Sequence, residues 1–273
     1  MRLAAMLPTT LVVLAALGAC GAPATGGDGE VSQWRLPERL REISGLALTS
    51  DGRLLAVTDE HAVIYELDFE AGGLTKAWAV GPPLRGDFEG IAVLDDTIWL
   101  LESDGNLVRA QEGHDGERVS YDRYDMKLDD ECEFEGLAAD PSRRVLLLLC
   151  KESRKKKKGL RLFEVVVADD GTVDLGNTFG LDEDALGDAV GAGKFNASGI
   201  AYDAARNRYL VAAARQFAVV ALAPDGSFIE VIMTLDKNRH RQAEGIEWLP
   251  DGRLLIADEG GNGRARLAVY RTQ

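Results

Sequence analysis

Between Leu36 and Tyr270 short apolar runs alternate with breaks rich in Gly, Asp and Ser. Ile43 to Leu48 is one such run, and the turn Thr49-Ser50-Asp51-Gly52 ends it. Arg53 to Thr58, Ala62 to Asp68 and Leu74 to Val80 follow in the same style. Runs of this length, cut by turn residues, predict strands joined by hairpins rather than helices. Asp-Gly pairs recur at Asp104-Gly105, Asp170-Gly171, Asp225-Gly226 and Asp251-Gly252. Tight hairpins favour that pair because it tolerates a positive φ.

The strands come in units. A Ser or Glu, then Gly, then Ile or Leu recurs as Ser44-Gly45-Leu46, Glu89-Gly90-Ile91, Glu135-Gly136-Leu137, Ser198-Gly199-Ile200 and Glu244-Gly245-Ile246. The glycines are spaced 45, 46, 63 and 46 residues apart. A period of this length with four strands per unit predicts a β-propeller, here all-β and five-bladed, with four-stranded antiparallel blades. The last unit has room for three strands only, so Val31 to Leu36 is expected to supply the fourth and close the ring, removing an open edge. The long interval is read as a loop insertion between Arg154 and Phe195, with an acidic stretch at Asp182 to Asp188, rather than a sixth blade.

The first residues have a different character. Arg2, the apolar run Leu11 to Leu17 and then Leu17-Gly18-Ala19-Cys20 resemble a bacterial lipoprotein signal, too short to span a bilayer as a mature helix. The expected organisation is a signal peptide over 1–19, a tether over 20–30 starting at a lipidated Cys20, and one propeller over 31–273. The expected location is the cell envelope, at the outer membrane facing the periplasm, with the membrane as a partner through Cys20. In such an oxidising compartment Cys132 and Cys150, on two strands joined by Asp140-Pro141-Ser142-Arg143, are expected to pair as a cross-strand disulfide.

Charge narrows the partners. With 31 basic and 45 acidic residues the net charge is −14, which excludes a general nucleic-acid binder and suits cations or a basic partner. The run Arg154 to Lys158 is read as a solvated hairpin tip, and Gly260-Gly261-Asn262-Gly263 as a turn rather than a phosphate loop. No GxSxG elbow is present, and His61, His114 and His240 lack the spacing of a zinc site.

The acids are not scattered. Strand residues two apart share a face, and the residues one and three before each repeat glycine are Glu42 and Ser44, Asp87 and Glu89, Glu133 and Glu135, Asn196 and Ser198, Gln242 and Glu244. All carry side-chain oxygen, and those between them (Ile43, Phe88, Phe134, Ala197 and Ala243) are apolar. Innermost strands line the channel of a propeller, so these oxygens are expected to form two rings at one mouth. Clustered carboxylates raise one another's pKa and oppose folding unless neutralised. Arg41, Lys151, Arg215 and Arg241 are candidate counter-charges. A hard divalent cation is the other solution, and calcium suits an irregular oxygen site. A hydrated, internally neutralised mouth stays open beside it. The candidate metal ligands are Glu89, Glu135, Glu244, Glu42, Asp87 and Glu133. A second set leaves the second strands: Asp59 and Glu60, Glu102 and Ser103, Lys151 and Glu152, Arg215, Asp258 and Glu259. Of these Asp59, Glu60, Lys151, Arg215, Asp258 and Glu259 are candidate ligand-binding residues.

Glu42-Ile43-Ser44-Gly45-Leu46, Asp87-Phe88-Glu89-Gly90-Ile91, Cys132-Glu133-Phe134-Glu135-Gly136-Leu137, Cys150-Lys151-Glu152 and Asp258-Glu259-Gly260-Gly261 resemble, in order and spacing, the SdiA-regulated (YjiK-like) family. The resemblance spans Leu36 to Tyr270. It implies a five-bladed propeller with NHL-like repeats and a calcium site, and it leaves open whether the chain is an enzyme. Two repeats bear Ser in place of Glu, which excludes a symmetric five-carboxylate site. The expected function is therefore a lipid-anchored, Ca2+-binding module that recognises an envelope ligand or protein. The alternative is a metal-dependent hydrolase of a phosphoester, ester or lactone, with one of Glu89, Glu135 or Glu244 as base and Arg215 or Lys151 holding an anion.

Overall fold

The first repeat unit folds as its pattern predicts. Ile43–Leu48, Leu54–Thr58, Val63–Asp68 and Gly73–Val80 lie side by side in chain order as one antiparallel sheet, within a residue of the expected ends. The computed structural model describes residues 29–82, 84–154 and 159–271. The next three units repeat the plan with innermost strands Phe88–Leu94, Cys132–Asp140 and Gly199–Asp203. The fifth has Ala243–Trp248 innermost, then Arg253–Asp258 and Arg266–Arg271. Its outer strand is Glu30–Arg35, antiparallel to Arg266–Arg271. The ring is thus a five-bladed propeller closed by the N-terminal strand, which starts one residue earlier than predicted. The Trp34 indole N–H also donates to the Phe69 carbonyl at 3.1 Å, tying that strand to the first blade. The first blade has one addition: Arg118–Val119, from the second blade's last connection, pairs in parallel with its outer strand.

Each blade is covered on both sides by its neighbours, so its middle strands read as continuous apolar runs rather than alternating ones. Val145 to Cys150 is the clearest case, buried throughout. Five apolar clusters fill the five gaps between blades. The gap between blades one and two, for example, joins Val57, Ile64 and Trp78 to Ile91 and Leu100. Each such buried Leu or Ile contributes about 1.5–3 kcal/mol of transfer free energy.

The repeat glycines sit where innermost strands of adjacent blades meet. A Cβ on Gly90 would stand 2.6 Å from the Leu137 backbone N, and one on Gly199 would stand 2.1 Å from the Glu244 carbonyl oxygen. The motif therefore marks close approach around the axis, which only glycine permits.

The Cys132–Cys150 disulfide is formed, with a Cα–Cα distance of 5.6 Å. The hairpin register is not the simple one. Cys132 lies opposite Ser153 and Cys150 opposite Phe134, and irregular pairing between Glu133 and Gly136 makes the bond diagonal. Among the described residues the long interval contains no sixth blade. Much of it is the third blade's own outer half, Arg161–Val167 and Val173–Gly180. The excess is not all loop, as expected, but includes the helix Glu183–Ala189. Asp182 caps that helix by accepting the Ala185 backbone N–H at 3.0 Å, and Glu183 and Asp184 suit its first turn.

The signal-like segment, Cys20 and Lys155 to Lys158 lie outside the described residues. Among the described residues no helix is long and apolar enough to cross a membrane.

An acidic mouth on the propeller axis as the candidate functional site

The alternation predicted before each repeat glycine is present. Ile43, Phe88, Phe134, Ala197 and Ala243 are fully or almost fully buried between blades. The flanking residues point the other way, and two of them are bound in structural ties. The Ser44 hydroxyl donates to the Phe88 carbonyl at 2.6 Å, and the Ser198 hydroxyl donates to the Ala243 carbonyl at 2.7 Å. Each serine thereby links its blade to the next at an equivalent position. Where the repeat has Glu in place of Ser, the carboxylate is left at the mouth.

Those three carboxylates lie in one another's field. Burial, and then the charges of Glu135, Asp87 and Glu244, pushes Glu89 up to about 9. Burial and the charge of Glu259 push Glu244 up to about 8. Glu135 is 6% exposed, and burial raises it although the Lys151 ammonium donates to its carboxylate and pulls the other way. The two serines and these pairwise charges show why the mouth is asymmetric: the glutamates directly before the repeat glycines lie on blades two, three and five.

The outer positions are more solvated. Glu42 pairs with Arg41 at 3.3 Å, and Glu133 lies 3.7 Å from the Lys151 ammonium. Asp87 is exposed. The Asn196 side-chain oxygen accepts from Gln216 at 3.1 Å. The Gln242 amide donates to Glu244 at 3.1 Å and also to Glu259. Of the expected counter-charges, then, Arg41 and Lys151 reach the acids, whereas Arg215 and Arg241 make no ion pair among the described residues.

The second set divides. Asp59 joins the mouth, its pKa raised by burial and by the charge of Glu42. Its Oδ1 is buried with no hydrogen-bond partner. Glu259 joins it too, raised by burial and by Asp59. Glu60 is exposed, 3.7 Å from His61. Glu102 is buried and held by Arg123 at 2.7 Å. Arg215 sits exposed on the short helical turn Ala214–Gln216. Asp258 turns inward, its Oδ2 lying 2.6 Å from His240 Nδ1, while His240 Nε2 lies 2.6 Å from the Tyr270 hydroxyl.

Among the described residues no three His, Cys, Asp or Glu side chains are gathered closely enough to hold a metal ion as they stand. The donor chemistry still fits a hard cation: all oxygen, net negative, and with an orphaned buried carboxylate oxygen on Asp59.

Two features are not anticipated from the repeat motif. Two residues after each repeat glycine stand Ala47, Ala92, Ala138, Ala201 and, in the fifth blade, Glu247. These residues line a cavity of about 160 Å³ near the axis. Glu247 accepts backbone N–H groups from Leu48 at 3.0 Å and Trp248 at 2.8 Å, and burial pushes it up to about 7. The break in the alanine series was the available signal. The second feature is a cluster of arginines beside Asp258, described below; its members come from distant parts of the chain, and no sequence signal joins them.

Solved structures with this architecture include the PQQ-bound aldose sugar dehydrogenase of Streptomyces coelicolor, at 15% identity and a TM-score of 0.52, covering 91% of this chain and 99% of that one. Myxococcus xanthus glutaminyl cyclase aligns at 14% identity with a TM-score of 0.58, covering 88% of this chain and 94% of that one. Identities this low establish the shared fold and nothing of the chemistry. No curated protein sequence matches the chain. The SdiA-regulated family model matches residues 187–272, which hold blades four and five. Over that stretch the chain is similar to the SdiA-regulated family.

Proposed function

We propose that this propeller binds a divalent cation, Ca2+, at the acidic mouth of its channel and uses that end to recognise a ligand or protein at the cell envelope, where Cys20 tethers it to the membrane. The observation that carries the reading is the convergence of Glu89, Glu135 and Glu244, with Asp59 and Glu259 beside them, against Lys151 as the nearest strong counter-charge. Like charges held out of water raise the free energy of the fold, and a hard cation offsets that cost. Glu89, Glu135 and Glu244 would hold it, with water completing a shell that calcium tolerates in irregular form. The bound ion would supply a fixed positive charge on the axis, presented toward whatever docks at that end. The Gln242 amide on Glu244 and the Lys151 ammonium on Glu135 hold two of these carboxylates in place.

The test is calorimetric titration of Ca2+ into chelator-treated protein, with thermal unfolding in parallel. Saturable binding and an upward shift in melting temperature are expected. Glu89→Gln with Glu135→Gln should abolish the shift while the variant still unfolds cooperatively. An equal shift in wild type and variant would remove these residues from the site, and no binding by the wild type would sink the cation reading.

A further inference from the structure

In a chain with 45 acidic and 31 basic residues, five arginines line one cavity at the rim of the fifth blade. Arg35, Arg239, Arg241, Arg264 and Arg266 surround, together with the Gly260–Gly263 turn, a space of about 590 Å³. Its volume is that of a small-molecule site. The closing strand creates the cluster. Arg35 on that strand lies directly opposite Arg266 on its neighbour, so both side chains share one face of the sheet.

Like charges directly opposite one another weaken a strand pair. Asp258 lies opposite Arg266 on the other side, yet its carboxylate is taken by His240 at 2.6 Å and by the Gln242 backbone N–H at 3.3 Å. Among the described residues the guanidinium groups of Arg35, Arg241 and Arg266 make no ion pair or hydrogen bond. Arg264, which also lines the cavity, gives its Nε–H to the Leu36 carbonyl at 2.9 Å. An acidic protein has carboxylates in plenty for neutralising arginines. Arg239 is turned to Asp236 at 3.8 Å, and the lining acids are Asp258, held by His240, and Glu259, held by Gln242. The other arginines face an open space, which leaves their missing charge to come from outside.

We propose that this cleft binds a small phosphate-bearing anion, gripped by the guanidinium forks of Arg35 and Arg266 with Arg241 and Arg264 at its rim. A planar fork meets two oxygens of a tetrahedral oxyanion at once, which a lysine ammonium does not. Glu259 and Gln242 stand in the wall that this cleft shares with the acidic mouth. The cleft and the mouth carry opposite charge, so the proposal is independent of the cation reading and is tested without calcium.

Inorganic pyrophosphate is titrated calorimetrically into the purified protein in chelator at constant ionic strength, beside inorganic phosphate and acetate. Saturable binding of pyrophosphate, weaker binding of phosphate and no binding of acetate are expected. Arg35→Gln with Arg266→Gln should weaken pyrophosphate at least tenfold and, by removing the like-charge pair, leave the anion-free melting temperature at or above that of the wild type. Pyrophosphate bound no better than acetate, or equally by wild type and variant, would overturn the proposal. Lost binding with a clearly lowered melting temperature would mark structural damage and overturn the assignment of these two arginines.

Discussion

At the residue scale the mouth is governed by the choice between Ser and Glu before each repeat glycine. A serine hydroxyl is satisfied by the neighbouring blade's carbonyl, as at Ser44 and Ser198. An ionised glutamate has no proton to donate to that carbonyl and stays at the opening, where burial and its neighbours disfavour its charge. Glu89 and Glu244, raised from an ordinary 4.5 to about 9 and about 8, keep their protons in the fold at pH values where the unfolded chain has lost them. The folded state then binds more protons, so stability without metal is greatest below the unfolded value and falls as pH rises toward the folded values. The groups facing Glu89 are Asp87, Glu135, Glu244 and Lys151. In chelator the melting temperature should fall between pH 5 and pH 9. Glu89→Gln should recover about 1–2 kcal/mol at the alkaline end, a figure discounted for the partial exposure of these side chains. Parallel pH profiles for wild type and variant would show that Glu89 does not feel this field. The presence of acids at these positions was legible from their spacing. Which of them are already satisfied was not, because the partner of each serine is a backbone carbonyl on another blade.

At the element scale the hairpin Cys132–Asp140 and Val145–Ser153 shows how local pattern and long-range packing divide the work. Its turn and its apolar strands follow from the sequence. Its register does not, since irregular pairing near Gly136 shifts Cys150 opposite Phe134. The disulfide closes a segment of sequence separation 18, so Cys150→Ser should lower stability by about 3 kcal/mol through the freer unfolded chain. Denaturant unfolding with and without reductant checks this: the reduced wild type should match the variant, and an oxidised wild type no more stable than the variant would deny the bond any structural weight. The helix Glu183–Ala189 makes the complementary point. An acidic stretch was visible, but the Asp182 cap that turns it into a helix depends on a side chain folding back on its own backbone.

At the scale of the whole molecule, stability and both candidate sites depend on closing the ring. The first and last segments meet in one sheet, with the Leu36 backbone N–H donating to the Ala265 carbonyl and the Arg271 N–H to the Gly29 carbonyl. Removing the chain before Pro37 would strip the fifth blade of its outer strand and expose the edge of Arg266–Arg271. Such edges pair with other chains. The truncated protein should melt well below the full one and elute as an associated species in size-exclusion chromatography. An unchanged monomer would mean that the closing strand adds little. The same strand carries Arg35 into the arginine cleft, so its loss should also abolish anion binding there.

By itself the sequence determined the propeller. Strand length, turn chemistry and the spacing of five glycines are local or periodic properties, and a repeat leaves few ways to bury its own apolar faces. It also determined that acid would gather at one end, since residues two apart on an innermost strand share a face. Only the tertiary structure decided which acids remain without a partner, that Glu247 and the four alanines at equivalent positions line one cavity, and that Arg35 stands beside Arg266 across more than two hundred residues. Those outcomes depend on distances between blades, and such distances are set by packing around the whole ring rather than by any one stretch of chain.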